Sequence, residues 1–189
     1  DWVVIATGRA RRPETFKKEK RKEEVPSKKD CPFCQISTQE KPTLVLLKTI
    51  VVPNKYPAFI PYSKLEPKRE GRFFQKMNAA GFHEVVITRD HEKSMGQFSL
   101  KEVKEVVDAY QQRYLDLMGK PLVKYVSIFH NHGKEAGASI FHPHSQIITT
   151  PLIDVDLKRA LSNSGEYYKK SGKCIYCQMN QWERRVKKR

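Results

Sequence analysis

Residues 141–146 read Phe-His-Pro-His-Ser-Gln, and this stretch decides how the chain is expected to fold. It lies in a β-rich run, 139–149, which follows a similar run, 122–131, after the turn residues Gly-Lys-Glu-Ala-Gly. Two such runs joined by a glycine-containing turn predict an antiparallel hairpin. Side chains two residues apart project from the same face of a strand. The pattern therefore predicts that His142, His144 and Gln146 share one face, which is unusual for a core and typical of a site.

The segments before and after this hairpin predict an α+β fold. Runs rich in Val, Ile, Leu or Thr predict strands at 2–7, 43–52 and 83–88. Residues 99–118 predict a helix, because Ser99 and Glu102 form a capping box, apolar residues recur at helical spacing and Gly119 follows as a stop. A second helix is predicted at 154–170. We therefore expect an antiparallel sheet with helices packed on one face.

Length and composition exclude two broad classes of protein. A chain of 189 residues suffices for one domain with a sizeable core and a remainder, predicted here as 1–170 and 171–189. A hydrophobic content of 39% beside 30% charged residues excludes a membrane protein and a wholly disordered chain. The longest apolar stretch, 44–52, contains Lys48, and the apolar start at 2–6 is shorter than a signal-peptide core. We expect a soluble, cytoplasmic protein.

The charge balance points to anionic partners. Lysine and arginine number 36 against 21 acidic residues, giving a net charge of +15. Much of the excess lies at 9–29 and 184–189, which lack apolar periodicity and are typical of solvated segments. Because no helix-turn-helix or RNP signature accompanies them, small anionic substrates are favoured and nucleic acid is an unlikely partner.

The four cysteines form two Cys-x-x-Cys pairs, Cys31/Cys34 and Cys174/Cys177. In an intracellular protein such pairs are metal half-sites or redox dithiols. The first pair follows a charged loop and precedes polar residues, which does not match a thioredoxin-like βαβ pattern, so metal is favoured. A tetrahedral zinc site needs two more ligands, usually histidine. The available histidines are His83, His91, His130, His132, His142 and His144.

Six motifs in order resemble the galactose-1-phosphate uridylyltransferases, the nucleotidyltransferase branch of the histidine-triad superfamily. They are Asp-Trp-Val-Val-Ile-Ala-Thr-Gly-Arg-Ala-Arg-Arg-Pro (1–13), Cys-Pro-Phe-Cys (31–34), Val-Pro-Asn-Lys-Tyr-Pro-Ala (52–58), His-Glu-Val-Val-Ile-Thr-Arg-Asp-His (83–91), Asn-His-Gly (131–133) and His-Pro-His-Ser-Gln (142–146). The resemblance covers nearly the whole chain. It implies a histidine-triad-like, antiparallel half-barrel sheet.

The resemblance also implies roles for single residues. His144 is expected to be the nucleophile and Gln146 to hydrogen-bond the transferring phosphoryl group. The implied structural zinc ligands are Cys31, Cys34, His91 and His142. The implied substrate contacts are Asn54 and Asn131 on the nucleotide, Gly137 and Ser139 on its phosphates, and Arg9 and Arg12 on substrate phosphate. Lys55 departs from the acidic residue that some members carry to hold the ribose, so the ribose and base preferences stay open.

The activity implied is transfer of UMP from UDP-glucose or UDP-galactose to a hexose 1-phosphate, by a ping-pong route through a uridylyl-histidine, in a homodimer. Such transfer needs no general acid, because the leaving sugar phosphate is weakly basic. Three alternatives stay open: an ADP-sugar or dinucleoside polyphosphate phosphorylase, a catalytically incomplete nucleotide-binding fragment, and a zinc-stabilised nucleic-acid-binding module. Salt-dependent binding would mark the last.

The second cysteine pair has two interpretations. Relatives continue into a second repeat, so Cys174 and Cys177 are expected to open a truncated second repeat at 171–189 as a candidate second metal half-site. The alternative is a free dithiol. No role is assigned to His83, His130 or His132.

Overall fold

The computed structural model describes residues 2–6, 27–36, 41–131, 133, 136, 138 and 140–186. The chain divides into two compact units, Asp1–Pro151 and Leu152–Arg189. The boundary between the units lies before the second predicted helix, which sequence analysis grouped with residues 1–170. Assignment of 171–189 to a second repeat stays a prediction.

The first unit is built on a five-stranded antiparallel sheet, as expected. Its strands are β1 (Leu44–Val45), β2 (Thr49–Pro53), β5 (His83–Thr88), β6 (Tyr125–Phe129) and β7 (His144–Thr150). Their order across the sheet is β1-β2-β5-β7-β6, and every neighbouring pair is antiparallel. Two further strands, β3 (Lys68–Glu70) and β4 (Phe74–Lys76), form a separate hairpin that sequence analysis did not predict. The fold class is α+β with an open antiparallel sheet.

One face of the sheet packs against helix α1 (Leu100–Met118). The predicted capping box is confirmed, since Ser99 and Glu102 exchange hydrogen bonds at the N-terminus, and Gly119 is the C-cap. A buried cluster that includes Val51, Val86 and Ile147 from the strands and Leu117 from the helix forms the core. Burial of these side chains stabilises the layer by about 1.5–3 kcal/mol each.

A second, smaller cluster covers the other face of the sheet. It contains Val52, Val85 and Ile87, with Phe33 packed against them. Directly opposite partners in an antiparallel pair lie on the same face, and the register pairs Val85 with Gln146 and Ile87 with His144. Gln146 and His144 therefore lie on the sheet face opposite α1.

Four predicted strands differ from those observed. The single strand predicted at 43–52 is the hairpin β1–β2, closed by the Leu46 N–H bond to the Thr49 carbonyl. Residues 2–6 form no strand. The strand predicted at 122–131 is shortened to β6. The strand predicted at 139–149 starts only at His144, because Pro143 has no N–H to donate to a ladder.

The second unit contains two helices, α2 (Val155–Ser171) and α3 (Ile175–Val186). Helix α2 confirms the predicted second helix, with Asp154 as its N-cap and Gly172 in the left-handed conformation as its C-cap. Helix α3 was not predicted. Across the described ranges, no helix is both long and apolar enough to cross a membrane.

Candidate active site and metal centre

Three separate chain segments bring four potential metal ligands together. Cys31 and Cys34 lie in a tight turn in which the Cys34 N–H bonds to the Cys31 carbonyl at 3.1 Å. His91 follows the end of β5, and His142 precedes β7. One ligand atom from each residue lies within 4.8 Å of all the others. The set implied by the family resemblance therefore forms one cluster in the folded chain.

The spacing of these atoms fits a tetrahedral ion. The Cys34 sulfur lies 3.2 Å from His91 Nδ1 and 3.4 Å from His142 Nδ1, and the Cys31 sulfur lies 3.5 Å from His142 Nδ1. Metal–sulfur and metal–nitrogen distances of about 2.3 and 2.0 Å at a tetrahedral angle separate the two donors by about 3.5 Å. Two thiols and two imidazoles in this arrangement could hold a metal ion.

The second nitrogen of His142 orients its ring. His142 Nε2 lies 2.7 Å from the Thr88 carbonyl, which can only accept, so Nε2 carries the proton and Nδ1 faces the sulfurs with its lone pair. A backbone carbonyl in this position is typical support for a metal-ligating histidine. Burial lowers the pKa of His142, which keeps the ring in the neutral form that ligates. Burial and the adjacent Cys31 raise the pKa of the Cys34 thiol, and a bound cation would favour its thiolate form.

The tautomer of His144 is set by the backbone two residues before it. His144 Nδ1 lies 2.9 Å from the His142 carbonyl, so Nδ1 donates its proton and Nε2 carries the lone pair. The Phe33 ring, from the Cys-x-x-Cys turn, contacts the His144 ring edge-on at 4.8 Å and the His142 ring at 5.9 Å. The His142 carbonyl and the Phe33 ring thus both contact the candidate nucleophile His144, and the Phe33 ring also contacts the candidate metal ligand His142.

Gln146 contacts a histidine from the neighbouring strand. Its Oε1 lies 2.9 Å from His83 Nε2, and Asn54 Nδ2 lies 3.1 Å from the same ring nitrogen. Asn54 Oδ1 accepts a hydrogen bond from the Tyr56 N–H at 2.9 Å. The structure therefore brings Asn54, a predicted nucleotide contact, close to Gln146 through His83.

The opposite face of β7 is anchored to the core side. Ser145 Oγ lies 2.5 Å from the Tyr110 hydroxyl of α1 and 3.0 Å from His130 Nδ1. Because neighbouring residues of a strand point to opposite faces, these contacts lie on the side of β7 that faces away from His144 and Gln146.

The predicted site residues have different outcomes. The expected common face is confirmed for His144 and Gln146, whereas His142 lies before the strand begins and contacts Phe33 together with His144. Asn131 is partly buried just after β6. Cys174 and Cys177 lie in the second compact unit, where Cys174 precedes α3 and Cys177 is exposed. Arg9, Arg12, Gly137 and Ser139 lie outside the described residues, as does His132.

Two residues that touch the site, Phe33 and His83, have no role predicted from the sequence. Phe33 lies between Cys31 and Cys34, so its place inside the Cys-x-x-Cys motif is the signal that could have identified it. His83 starts the strand next to β7 on the same face as Gln146, and only the register of the two strands reveals the contact.

A known protein family matches most of the chain. Residues 1–153 match the family described as galactose-1-phosphate uridyl transferase, N-terminal domain. The chain belongs to that family. Galactose-1-phosphate uridylyltransferase of Thermotoga maritima is 31% identical over 184 residues, covering 95% of this chain and 52% of the relative. ADP-glucose phosphorylase of Arabidopsis thaliana is 28% identical over 187 residues, covering 94% of this chain and 53% of the relative.

Solved structures share the fold of this chain. A uridylyltransferase structure superposes on 85% of this chain and 51% of its own, with a TM-score of 0.65 and 27% identity. The ADP-glucose phosphorylase of Arabidopsis thaliana with bound ADP-glucose shares the fold, with a TM-score of 0.65 at 24% identity. The chain spans about half the length of the curated relatives it matches.

Proposed function

We propose that this chain transfers UMP from UDP-glucose or UDP-galactose to a hexose 1-phosphate through a covalent uridylyl-His144. The observation that carries the proposal is the bond from His144 Nδ1 to the His142 carbonyl, which makes Nε2 the nucleophilic nitrogen. Family membership and the relatives named uridylyltransferase support a nucleotidyltransferase.

In the first half-reaction, the lone pair of His144 Nε2 attacks the α-phosphorus of the nucleotide sugar. A P–N bond forms, the bond from the α-phosphorus to the bridging oxygen breaks, and the electron pair leaves with the sugar 1-phosphate. The ring becomes positively charged, and the His142 carbonyl stabilises that charge through the Nδ1–H bond. In the second half-reaction a phosphate oxygen of the acceptor attacks the same phosphorus and forms a P–O bond. The P–N bond breaks, and its electron pair returns to His144 Nε2.

Gln146 stabilises the charge on the phosphoryl oxygens during both transfers. It lies two residues from His144 on the same strand face, at about 7 Å of rise, which suits contacts to one phosphoryl group from two sides. An amide does not titrate and cannot act as a general acid. None is needed, because the leaving phosphate is weakly basic.

Zinc is the metal that we propose for the cluster of Cys31, Cys34, His91 and His142. Two sulfur and two imidazole donors that fill all four coordination positions are typical of a structural zinc site. The ion would supply a cross-link between the turn, the end of β5 and the start of β7. The chain's own residues perform the phosphoryl transfer.

The wider setting is also a proposal. We propose that the protein acts in the cytoplasm and associates as a homodimer. We propose that Asn54 and Asn131 contact the nucleotide, that Arg9, Arg12, Gly137 and Ser139 contact phosphate, and that nucleic acid is not a partner.

The test is intact-mass spectrometry under non-acidic conditions, which preserve a phosphoramidate, after incubation with UDP-glucose or ADP-glucose. We expect one UMP added to the wild-type chain and none to His144→Ala. Absence of any adduct from a folded, zinc-loaded wild-type chain would refute the activity for this chain.

An ADP-sugar phosphorylase is the second candidate. The similarity to an ADP-glucose phosphorylase over 94% of this chain favours it. Addition of AMP in place of UMP in the same experiment would select this candidate.

A further inference from the structure

His83 is a buried polar residue at the start of β5 for which the proposed mechanism gives no role. Only 4% of its surface is exposed. It lies on the sheet face of Val85 and Ile87, opposite α1, and therefore on the same face as Gln146. Its register partner is Ile148, so Gln146 is its diagonal neighbour across the strand pair, within reach of a ring side chain.

One ring nitrogen of His83 is an acceptor. The backbone N–H of Ala58 points at His83 Nδ1 with a nitrogen–nitrogen distance of 3.0 Å. A backbone amide can only donate, so Nδ1 presents its lone pair. A neutral imidazole with Nδ1 as acceptor carries its proton on Nε2. The loop that contains Ala58 thus selects the tautomer of His83.

The other ring nitrogen then selects the orientation of Gln146. Two amides approach His83 Nε2: the Gln146 oxygen at 2.9 Å and the Asn54 nitrogen at 3.1 Å. Asn54 Oδ1 is already occupied by the Tyr56 N–H, which fixes that amide with its nitrogen toward the ring. An amide nitrogen does not accept, so the Nε2 proton goes to Gln146 Oε1.

We propose that His83 is a positioning residue that fixes the rotamer of the Gln146 amide. Because oxygen and nitrogen lie on opposite sides of the amide carbon, holding Oε1 against His83 directs both N–H donors away from the ring. Donors, and not the oxygen, are then offered to the anionic phosphoryl group. The proposal rests on the proposed role of Gln146 in uridylyl transfer.

The kinetic test compares the rate of nucleotidyl-His144 formation in four chains: wild type, His83→Leu, Gln146→Ala and the double variant. We expect His83→Leu to slow labelling about 2- to 13-fold, the range of one neutral hydrogen bond. We expect no further loss when His83→Leu is added to Gln146→Ala, because the histidine acts through the glutamine. Losses that multiply would overturn the proposal.

Two further variants separate positioning from general damage to the strand. His83→Gln retains a side-chain N–H and is expected to recover most of the lost rate. Tyr110→Phe removes a buried hydrogen bond to Ser145, next to Gln146 but on the opposite face of β7, and is expected to leave labelling unchanged. A defect equal in Tyr110→Phe and His83→Leu would overturn the proposal.

A readout independent of activity distinguishes failure of this inference from failure of the proposed function. In nitrogen NMR of the wild-type chain, His83 should carry its proton on Nε2, and that resonance should shift in Gln146→Ala. If the wild-type chain takes no label, the proposed function fails, and the NMR result still decides the contact. A proton on Nδ1, or a resonance indifferent to Gln146→Ala, would overturn the proposal.

Discussion

Phe33 links the metal cluster to the candidate nucleophile, and its removal should slow the chemistry without loss of the metal. Its ring contacts His144 edge-on at 4.8 Å and His142 at 5.9 Å, and it packs against Val85 and Ile87 of the sheet. An edge-to-face aromatic pair contributes about 0.5–1.5 kcal/mol beyond its buried area.

If that energy holds the His144 ring in its reactive orientation, its loss raises the activation free energy of nucleotidyl-His144 formation by the same amount. By the relation between barrier and rate, 0.5–1.5 kcal/mol corresponds to a decrease of about 2- to 13-fold. We therefore expect Phe33→Ala to slow formation of nucleotidyl-His144 by a factor in that range. Phe33→Leu keeps the packing on the sheet but removes the aromatic edge, and should fall between Phe33→Ala and wild type.

The assay is the single-turnover rate of label formation by intact mass, with metal content measured on the same samples. Phe141 provides a matched control, because its ring contacts the ligand His91 at 5.8 Å. Phe141→Ala should leave the rate unchanged. Equal rates in Phe33→Ala and wild type at equal metal content, or equal defects in both alanine variants, would refute the reasoning.

Three other predictions concern stability and the metal. Removal of the metal with a chelator should change the number of reactive thiols, because two of the four cysteines belong to the candidate metal cluster and two lie in the second unit. Two thiols should react with a disulfide reagent before chelation and all four afterwards. Four reactive thiols before chelation would exclude a bound metal. Arg113→Met should lower the free energy of unfolding by about 3–5 kcal/mol in denaturant titrations, since it leaves the buried Glu84 carboxylate without its two 2.8 Å hydrogen bonds. The double variant with Glu84→Gln should recover part of the lost stability. An Arg113→Met variant as stable as wild type would contradict the prediction. Hydrogen bonds from Lys93 and Ser99 hold the pKa of Glu102 well below its ordinary value. The contribution of the Glu102 carboxylate to folding stability is therefore present above about pH 4 and is lost as the pH falls through the folded-state pKa. The difference in Tm between wild type and Glu102→Gln should shrink below about pH 4, and a difference that stays constant with pH would contradict this prediction.

Local sequence patterns determined much of the architecture. The capping box at Ser99 and Glu102, the apolar periodicity of α1 and the β-branched run of β5 are local signals, and each element forms where they predict it. The alternation in β7 correctly places His144 and Gln146 on one face, since period two is a property of any extended strand. The family resemblance correctly predicts that Cys31, Cys34, His91 and His142 form one cluster, although they lie up to 111 positions apart in the chain.

Only the tertiary structure decided how these parts meet. The strand predicted at 139–149 begins at His144, because Pro143 has no N–H for strand pairing. The His142 ring instead contacts the cysteine sulfurs and the Thr88 carbonyl. The tautomers of His83 and His144 depend on a backbone N–H and a backbone carbonyl, respectively. The contact between His83 and Gln146 depends on strand register, which side-chain composition does not encode. Hydrogen-bond partners of this kind are set by backbone positions brought together through packing. The sequence therefore indicates the candidate site residues, and the fold determines which ring nitrogen of each histidine carries the proton.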